Sequence, residues 1–207
     1  MDIIDRIRQS KIIAVIRLDD YDVASAAFDA LVDGGIDVLE IAFNMPFAKR
    51  LLREKIAKYG DKAVIGAGTI LDEATAAAAK RAGAKFILTP ALEKSVVEYC
   101  VKEGLPVIPG VFTPTEILTA TRMGAPAVKL FPASAFAPRV VSDLRAPLGN
   151  IDILASAGIT EQNAKDWLKA GAFALAVSSP LLSGAAEGDF QRVKDNAKSF
   201  IALVNEK

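Results

Sequence analysis

Lys129 stands in "APAVKLFPASAF" (125–136), a run of small and apolar residues that otherwise reads as a buried strand. Desolvating an ammonium is costly, and an unpaired buried lysine usually answers by losing its proton. Either this side chain snorkels out of the wall or its neutral amine is wanted. Glu40 sits in a similar setting, in "DVLEIAF" (37–43), and Arg17 closes "IIAVIR" (12–17). The chain has no histidine and a single cysteine, Cys100. Neither a histidine base nor a zinc site of His and Cys can then be assembled. Chemistry falls to Lys, Glu, Asp or Ser, with no metal and no cofactor called for.

Lys+Arg and Asp+Glu balance at 25 each over 207 residues. No excess of positive charge suits nucleic acid or an acidic membrane, so the expected partner is a small molecule. The first ten residues, "MDIIDRIRQS", mix charge with apolar residues and do not read as a targeting segment. No uninterrupted apolar run reaches spanning length. The default expectation is a cytoplasmic protein, folded as one domain over residues 1–207.

Positioning these residues needs a framework, and the sequence repeats one at intervals of roughly 20 to 25 residues. Eight apolar runs recur: 12–17, 37–43, 63–69, 85–90, 106–110, 127–132, 151–156 and 173–179. Between them, segments such as "DVASAAFDALVDGG" and "EQNAKDWLKAGA" carry apolar residues at three- and four-residue spacing, the helical period. Most of these helices stop at a glycine shortly before the next strand, as in "RAGA" and "RMGA". Strands too apolar to have a wet face, alternating with helices, predict a parallel sheet covered by helices, here a single (β/α)8 TIM barrel. An open doubly wound sheet would favour a glycine-rich loop after the first strand, where this chain reads "RLDDYD".

Alternation along a strand then assigns directions. Ala127, Lys129 and Phe131 face the barrel interior, with Val128 and Leu130 toward the helices. Val38, Glu40 and Ala42 face inward, with Leu39 and Ile41 outward. Arg17 joins Lys129 and Glu40 at the carboxyl end of the barrel, the face that carries the active site in this fold. Such a trio reads in two ways. It is a buried ion network that fixes strand register, or it is amine catalysis. In the second reading Lys129 attacks a ketone to give a carbinolamine and then a Schiff base, while Glu40 carries protons. A lysine of ordinary pKa, about 10.4, is charged at neutral pH. Dry aliphatic walls and the neighbouring Arg17 cation would free its lone pair.

Other strand ends describe the substrate. "GAGT" (66–69) offers backbone close to a ligand, and Thr69 adds a hydroxyl. "SAGI" (156–159) and "VSSPLL" (177–182) end the last two strands, where many barrels bind phosphate through N–H groups and a short helix terminus. Ser156, Ala157, Gly158, Ser178 and Ser179 are the candidates, with the helix expected to begin near Pro180. No Lys or Arg lies in either segment to neutralise a dianion. Cys100, in a helical segment, reads as a packing residue.

"VLEIAFNMP", "VIGAGTIL", "VIPGVFTPTE" and "VKLFPASAFAP" together resemble the class I 2-keto-3-deoxy-6-phosphogluconate and 4-hydroxy-2-oxoglutarate aldolases over nearly the whole chain. The resemblance implies that Lys129 forms the Schiff base with pyruvate or the keto acid and that Glu40 is the general acid/base. It also implies a homotrimer. Asn44 and "FPASAF" are closer to the 2-keto-3-deoxy-6-phosphogalactonate branch, and sugar stereochemistry is expected to be read at Asn44. The chain departs from the family where a "GG" pair is replaced by Ala157-Gly158 and where Ser156 precedes it.

The expected reaction is reversible cleavage of a 2-keto-3-deoxy-6-phospho sugar acid to pyruvate and glyceraldehyde 3-phosphate. Arg17 and Thr69 would hold the carboxylate end, and Phe131 and Pro90 would line the pyruvyl pocket. Three alternatives stay open. One is an aldolase for an unphosphorylated keto acid such as 4-hydroxy-2-oxoglutarate. Another is a phosphosugar isomerase or decarboxylase in which Lys129 only anchors an enediolate. The third is a barrel scaffold without catalysis.

Overall fold

The computed structural model describes residues 2–206. Its strands are β1 (Ile12–Ile16), β2 (Val38–Ala42), β3 (Val64–Gly68), β4 (Ile87–Leu88), β5 (Val107–Ile108), β6 (Gly110–Val111), β7 (Val128–Leu130), β8 (Ile153–Ser156) and β9 (Ala174–Val177). The paired strands run parallel in the order β5-β4-β3-β2-β1-β9-β8-β7-β6. Helices follow the strands on the outside: α2 (Tyr21–Asp33), α3 (Ala48–Tyr59), α4 (Glu73–Arg81), α5 (Lys94–Lys102), α6 (Pro114–Arg122), α7 (Val140–Leu148), α8 (Ala164–Lys169) and α9 (Phe190–Asn205). This is the TIM-barrel arrangement that the alternation of runs predicts.

Nine strand segments stand where eight runs were expected, and proline is the reason. The run 106–110 divides at Pro109, which has no N–H to give a ladder. β5 pairs β4 on one side and β6 pairs β7 on the other, so the barrel closes through the covalent chain at residue 109. Two side bonds hold the break. The N–H of Gly110 donates to Thr89 Oγ1 at 3.1 Å, and the N–H of Lys129 donates to the Pro109 carbonyl at 2.8 Å.

Two apolar groups divide the core as alternation requires. Leu39, Ile41, Val128 and Leu130 pack outward against the helices. Val15, Val38, Phe86, Leu88, Ala127, Leu154 and Ala176 pack inside the barrel with Ile4 and Ile7. Those two isoleucines come from α1 (Ile3–Ser10), a helix before the first strand that places them in the interior group. The expectation for "MDIIDRIRQS" was only negative; its 3- and 4-residue apolar spacing was the signal for a closing helix.

Helix ends are built from local chemistry. Asp20 and Asp72 accept the N–H groups of Val23 and Thr75 at the starts of α2 and α4. In "VFTPTE", Thr113 and Glu116 form a capping box, and the N–H groups of Phe112 and Thr113 both donate to Glu116 Oε2 at 2.8 Å. These bonds hold the Glu116 carboxyl below its ordinary range. That motif therefore starts α6. At the other ends, Gly83 (φ 103°) and Gly124 (φ 94°) take the left-handed conformation the sequence anticipates.

One expected element is absent from the described residues. No helix begins near Pro180; residues 179–188 are turns, and α9 starts only at Phe190. A single bond, from the Leu182 N–H to the Ser178 carbonyl at 3.0 Å, gives one helical turn that is not continued. Two glycines, Gly184 (φ 97°) and Gly188 (φ 76°), turn the backbone left-handed instead. Among the described residues no helix is long and apolar enough to cross a membrane.

Candidate active site

Glu40 lies on β2 and Lys129 on β7. Around the barrel, three strands (β1, β9, β8) separate them on one side, and β3, β4 and the broken β5–β6 strand separate them on the other. The two strands are thus opposite each other. Inward alternation aims both side chains at the axis, where Glu40 is fully buried and Lys129 is 5% exposed. Arg17 follows β1 and its guanidinium donates to Thr69 Oγ1 at 3.2 Å.

The buried charges do not satisfy one another. Both carboxylate oxygens of Glu40 lack a hydrogen-bond partner among the described residues. The Lys129 Nζ stands 4.8 Å from the centroid of the Phe131 ring. Burial pushes the Glu40 carboxyl up, against the opposing pull of Lys129 and Arg17. Burial also pushes the Lys129 ammonium down; Glu40 opposes that shift and Arg17 assists it. Burial therefore works against the charged form of both groups. A register-fixing network would close its hydrogen bonds, and this one does not.

That difference gives a stability prediction. Glu40 binds its proton more tightly folded than unfolded, so wild-type stability falls as pH rises from the ordinary carboxylate range through the raised value. Glu40→Leu should raise stability at pH 7 by about 1 kcal/mol or more, and by less near pH 4. Urea unfolding at the two pH values measures it. A loss of stability at pH 7 would mean that the carboxylate holds the barrel together.

Lys129, Arg17 and Phe131 line a cavity of about 450 Å³ at the carboxyl face. Ser156, Ala157, Gly158, Ser178 and Ser179 complete the part foreseen from sequence. Four candidates stand elsewhere. Glu40 lies beneath, in the wall. Thr69 reaches the cavity through Arg17. Asn44 is exposed on the turn after β2. Pro90 is half-buried with its backbone against Gly110. The hydroxyl of Ser178 donates to the Val15 carbonyl at 2.9 Å, so it ties β9 to β1. Cys100 is buried, with its thiol pushed up to about 11 by burial, which makes it a packing residue.

Other contributors were not anticipated. Val15 and Ala176 form cavity wall two residues before Arg17 and Ser178, on the same face of their strands. Ile159 and Thr160 extend the lining. Asn163 clamps this turn: its Oδ1 accepts the Thr160 N–H at 2.9 Å and its Nδ2 donates to the Gly158 carbonyl at 2.8 Å. A Thr followed three residues later by Asn was the available signal.

Backbone strain gathers at the same rim. Thr69 (φ 58°) and Ala157 (φ 77°) are left-handed without being glycine, and Thr69 is β-branched as well. Gly158 follows at φ 74°, and a Cβ there would fall 2.7 Å from the Ser134 Cβ. The "GAGT" segment also differs from its expected use. Its inward positions are Gly66 and Gly68. A Cβ on Gly66 would lie 2.5 Å from the Phe86 ring, and one on Gly68 would lie 1.5 Å from Glu40 Oε1. The room left by glycine is taken by the protein's own side chains rather than kept for a ligand.

Known proteins resemble this chain in sequence and in fold. The sequence profile described as the KDPG and KHG aldolase family matches residues 3–196. The 2-dehydro-3-deoxy-6-phosphogalactonate aldolase of Escherichia coli K12 is 36% identical over 196 residues, 94% of this chain and 95% of that one. A structure described as native KDPGal superposes with a TM-score of 0.86 at 36% identity, covering 93% of both chains. A KDPG aldolase from Legionella pneumophila, with pyruvate captured as a covalent carbinolamine, superposes with a TM-score of 0.85 at 25% identity, covering 92% of this chain and 93% of that one.

Proposed function

The chain belongs to the KDPG and KHG aldolase family, and from that premise we propose how its residues act. It is a class I aldolase that reversibly cleaves a 2-keto-3-deoxy-6-phospho sugar acid to pyruvate and glyceraldehyde 3-phosphate. The observation that carries the mechanism is the buried lysine whose ammonium burial disfavours, opposite a buried carboxyl that has no hydrogen-bond partner among the described residues.

Neutral Lys129 attacks the C2 ketone, giving a carbinolamine that loses water to a protonated imine. The imine accepts the electron pair of the C3–C4 bond as that bond breaks. Glu40 takes the proton of the C4 hydroxyl, releasing the aldehyde. The enamine left on Lys129 is protonated at C3, and hydrolysis of the resulting imine frees pyruvate and regenerates the amine. Arg17, held by Thr69, binds the substrate carboxylate, with Phe131 against the pyruvyl methyl. Asn44 and Pro90 take the outer positions at the rim, where the sugar chain would pass.

Phosphate binds at Ser156–Gly158 and Ser178–Ser179, through backbone N–H groups. The turn in place of a helix at Pro180 removes the helix terminus from this account. Among the described residues, Arg17 and Lys129 are the only Lys or Arg lining the cavity, which favours an unphosphorylated keto acid as the second reading. Ala157 decides between them. Relief of its left-handed strain should make Ala157→Gly more stable, by up to about 1 kcal/mol. It should also raise kcat/KM severalfold for phosphorylated substrates alone. Equal use of phosphorylated and dephosphorylated acids, unchanged by the variant, would assign the enzyme to unphosphorylated substrates.

We further propose that the chain works as a homotrimer. Exposed Phe112 (46%) and Leu71 (60%), after β6 and β3, put apolar surface on the carboxyl rim. Light scattering that returns a monomer mass would remove this assembly.

A further inference from the structure

The inward face of β3 carries Val64 and then two glycines, Gly66 and Gly68, with Ile65 and Ala67 facing the helices. Glu40 pairs with Gly66 and Ala42 pairs with Gly68, so Gly68 lies two residues further toward the carboxyl end than Glu40's own partner. Yet the Glu40 side chain reaches Gly68. A Cβ built there would be 1.5 Å from Oε1, 2.1 Å from Cδ and 2.6 Å from Cγ. The Glu40 side chain therefore fills the space a Cβ at Gly68 would take, with Oε1 nearest, two residues further toward the carboxyl end than its own ladder partner. Beneath it, Phe86 occupies the equivalent space over Gly66.

No hydrogen bond fixes this carboxylate, since both its oxygens are without partners among the described residues. Beyond the long-range attraction of Lys129 and Arg17, its position is left to shape. Phe86 over Gly66 and the bare Cα of Gly68 define that shape, and a methyl at residue 68 would occupy the carboxylate's place.

We propose that Gly68 is a positioning residue, whose missing side chain sets the height and direction of the Glu40 carboxyl for proton transfer. This rests on the aldolase reading above. It goes further by assigning to packing, not to hydrogen bonding, the orientation of the proton-transfer group. Gly68 adopts an ordinary extended conformation, so alanine there is disfavoured by contact with Glu40 and not by backbone strain.

The test is a double-mutant cycle read in stability as well as activity. Gly68→Ala alone should lower Tm by several degrees and kcat at least 50-fold, with less than a threefold change in KM. Glu40→Ala removes the obstructing atoms. In that background Gly68→Ala should change Tm by less than one degree and the residual kcat by less than twofold. If Gly68→Ala alone does not fold but the double variant does, the proposal is supported in its strongest form. Equal loss of Tm in both backgrounds, or failure of both variants to fold, would overturn it, because the methyl would then be rejected by something other than Glu40. The Tm cycle needs no substrate, so it stands even if the aldolase reading fails. Absence of turnover in the wild type would count against that reading alone.

Discussion

Lys129→Arg is expected to abolish aldol cleavage, with kcat reduced by about 10⁴-fold or more while the protein remains folded. Arginine keeps the positive charge and much of the length, but its guanidinium is never deprotonated in the working range and cannot attack a ketone. The variant therefore separates two chemistries that share this geometry. An electrostatic anchor for an enediolate would survive in part, whereas an imine-forming amine cannot. In the wild type, burial and Arg17 push the Lys129 ammonium down. The rate of imine formation should then rise with pH through a value below that of an ordinary lysine, and level off above it. Turnover by Lys129→Arg within about 100-fold of wild type would favour the anchor.

Glu40→Gln should lower kcat by about 10³-fold, the range expected when a positioned general acid/base is removed. Glutamine is nearly isosteric, so it still rests on Gly68, and KM should change little. Only the ionisable acid/base function is lost. Because burial raises the Glu40 carboxyl, the wild-type kcat profile should carry a limb above the ordinary carboxylate range, and that limb should vanish in the variant. A glutamine enzyme within threefold of wild type, with the limb intact, would assign proton transfer to another group.

The framework was legible because period and punctuation agree. Apolar runs long enough for buried strands alternate with helical periods, and glycines such as Gly83 and Gly124 stop the helices. The inward face of β2 and β7 followed from alternation alone, which placed Glu40 and Lys129 together without any contact being known. Less was legible where three-dimensional packing decides. Pro109 broke a strand that composition alone presents as continuous. The turns at 179–188 replaced an expected helix because Gly184 and Gly188 are left-handed there. "GAGT" was read as room for a ligand, since sequence shows the missing side chains but not which neighbour uses the space. Glu40 and Gly68 stand on different strands, and only the β2–β3 register brings the Glu40 side chain onto Gly68. Cavity wall at Val15 and Ala176 followed the same alternation and needed only one more step along each strand.

The central claim is covalent, and one measurement addresses it directly. Wild-type enzyme incubated with pyruvate and borohydride, then digested and analysed by mass spectrometry, should carry one reduced pyruvyl adduct per chain, on the peptide containing Lys129, with activity lost in proportion. The Lys129→Arg protein treated in the same way should carry none. Active wild-type enzyme that emerges without an adduct, or with its adduct on a different lysine and turnover lost in step with it, would contradict the account.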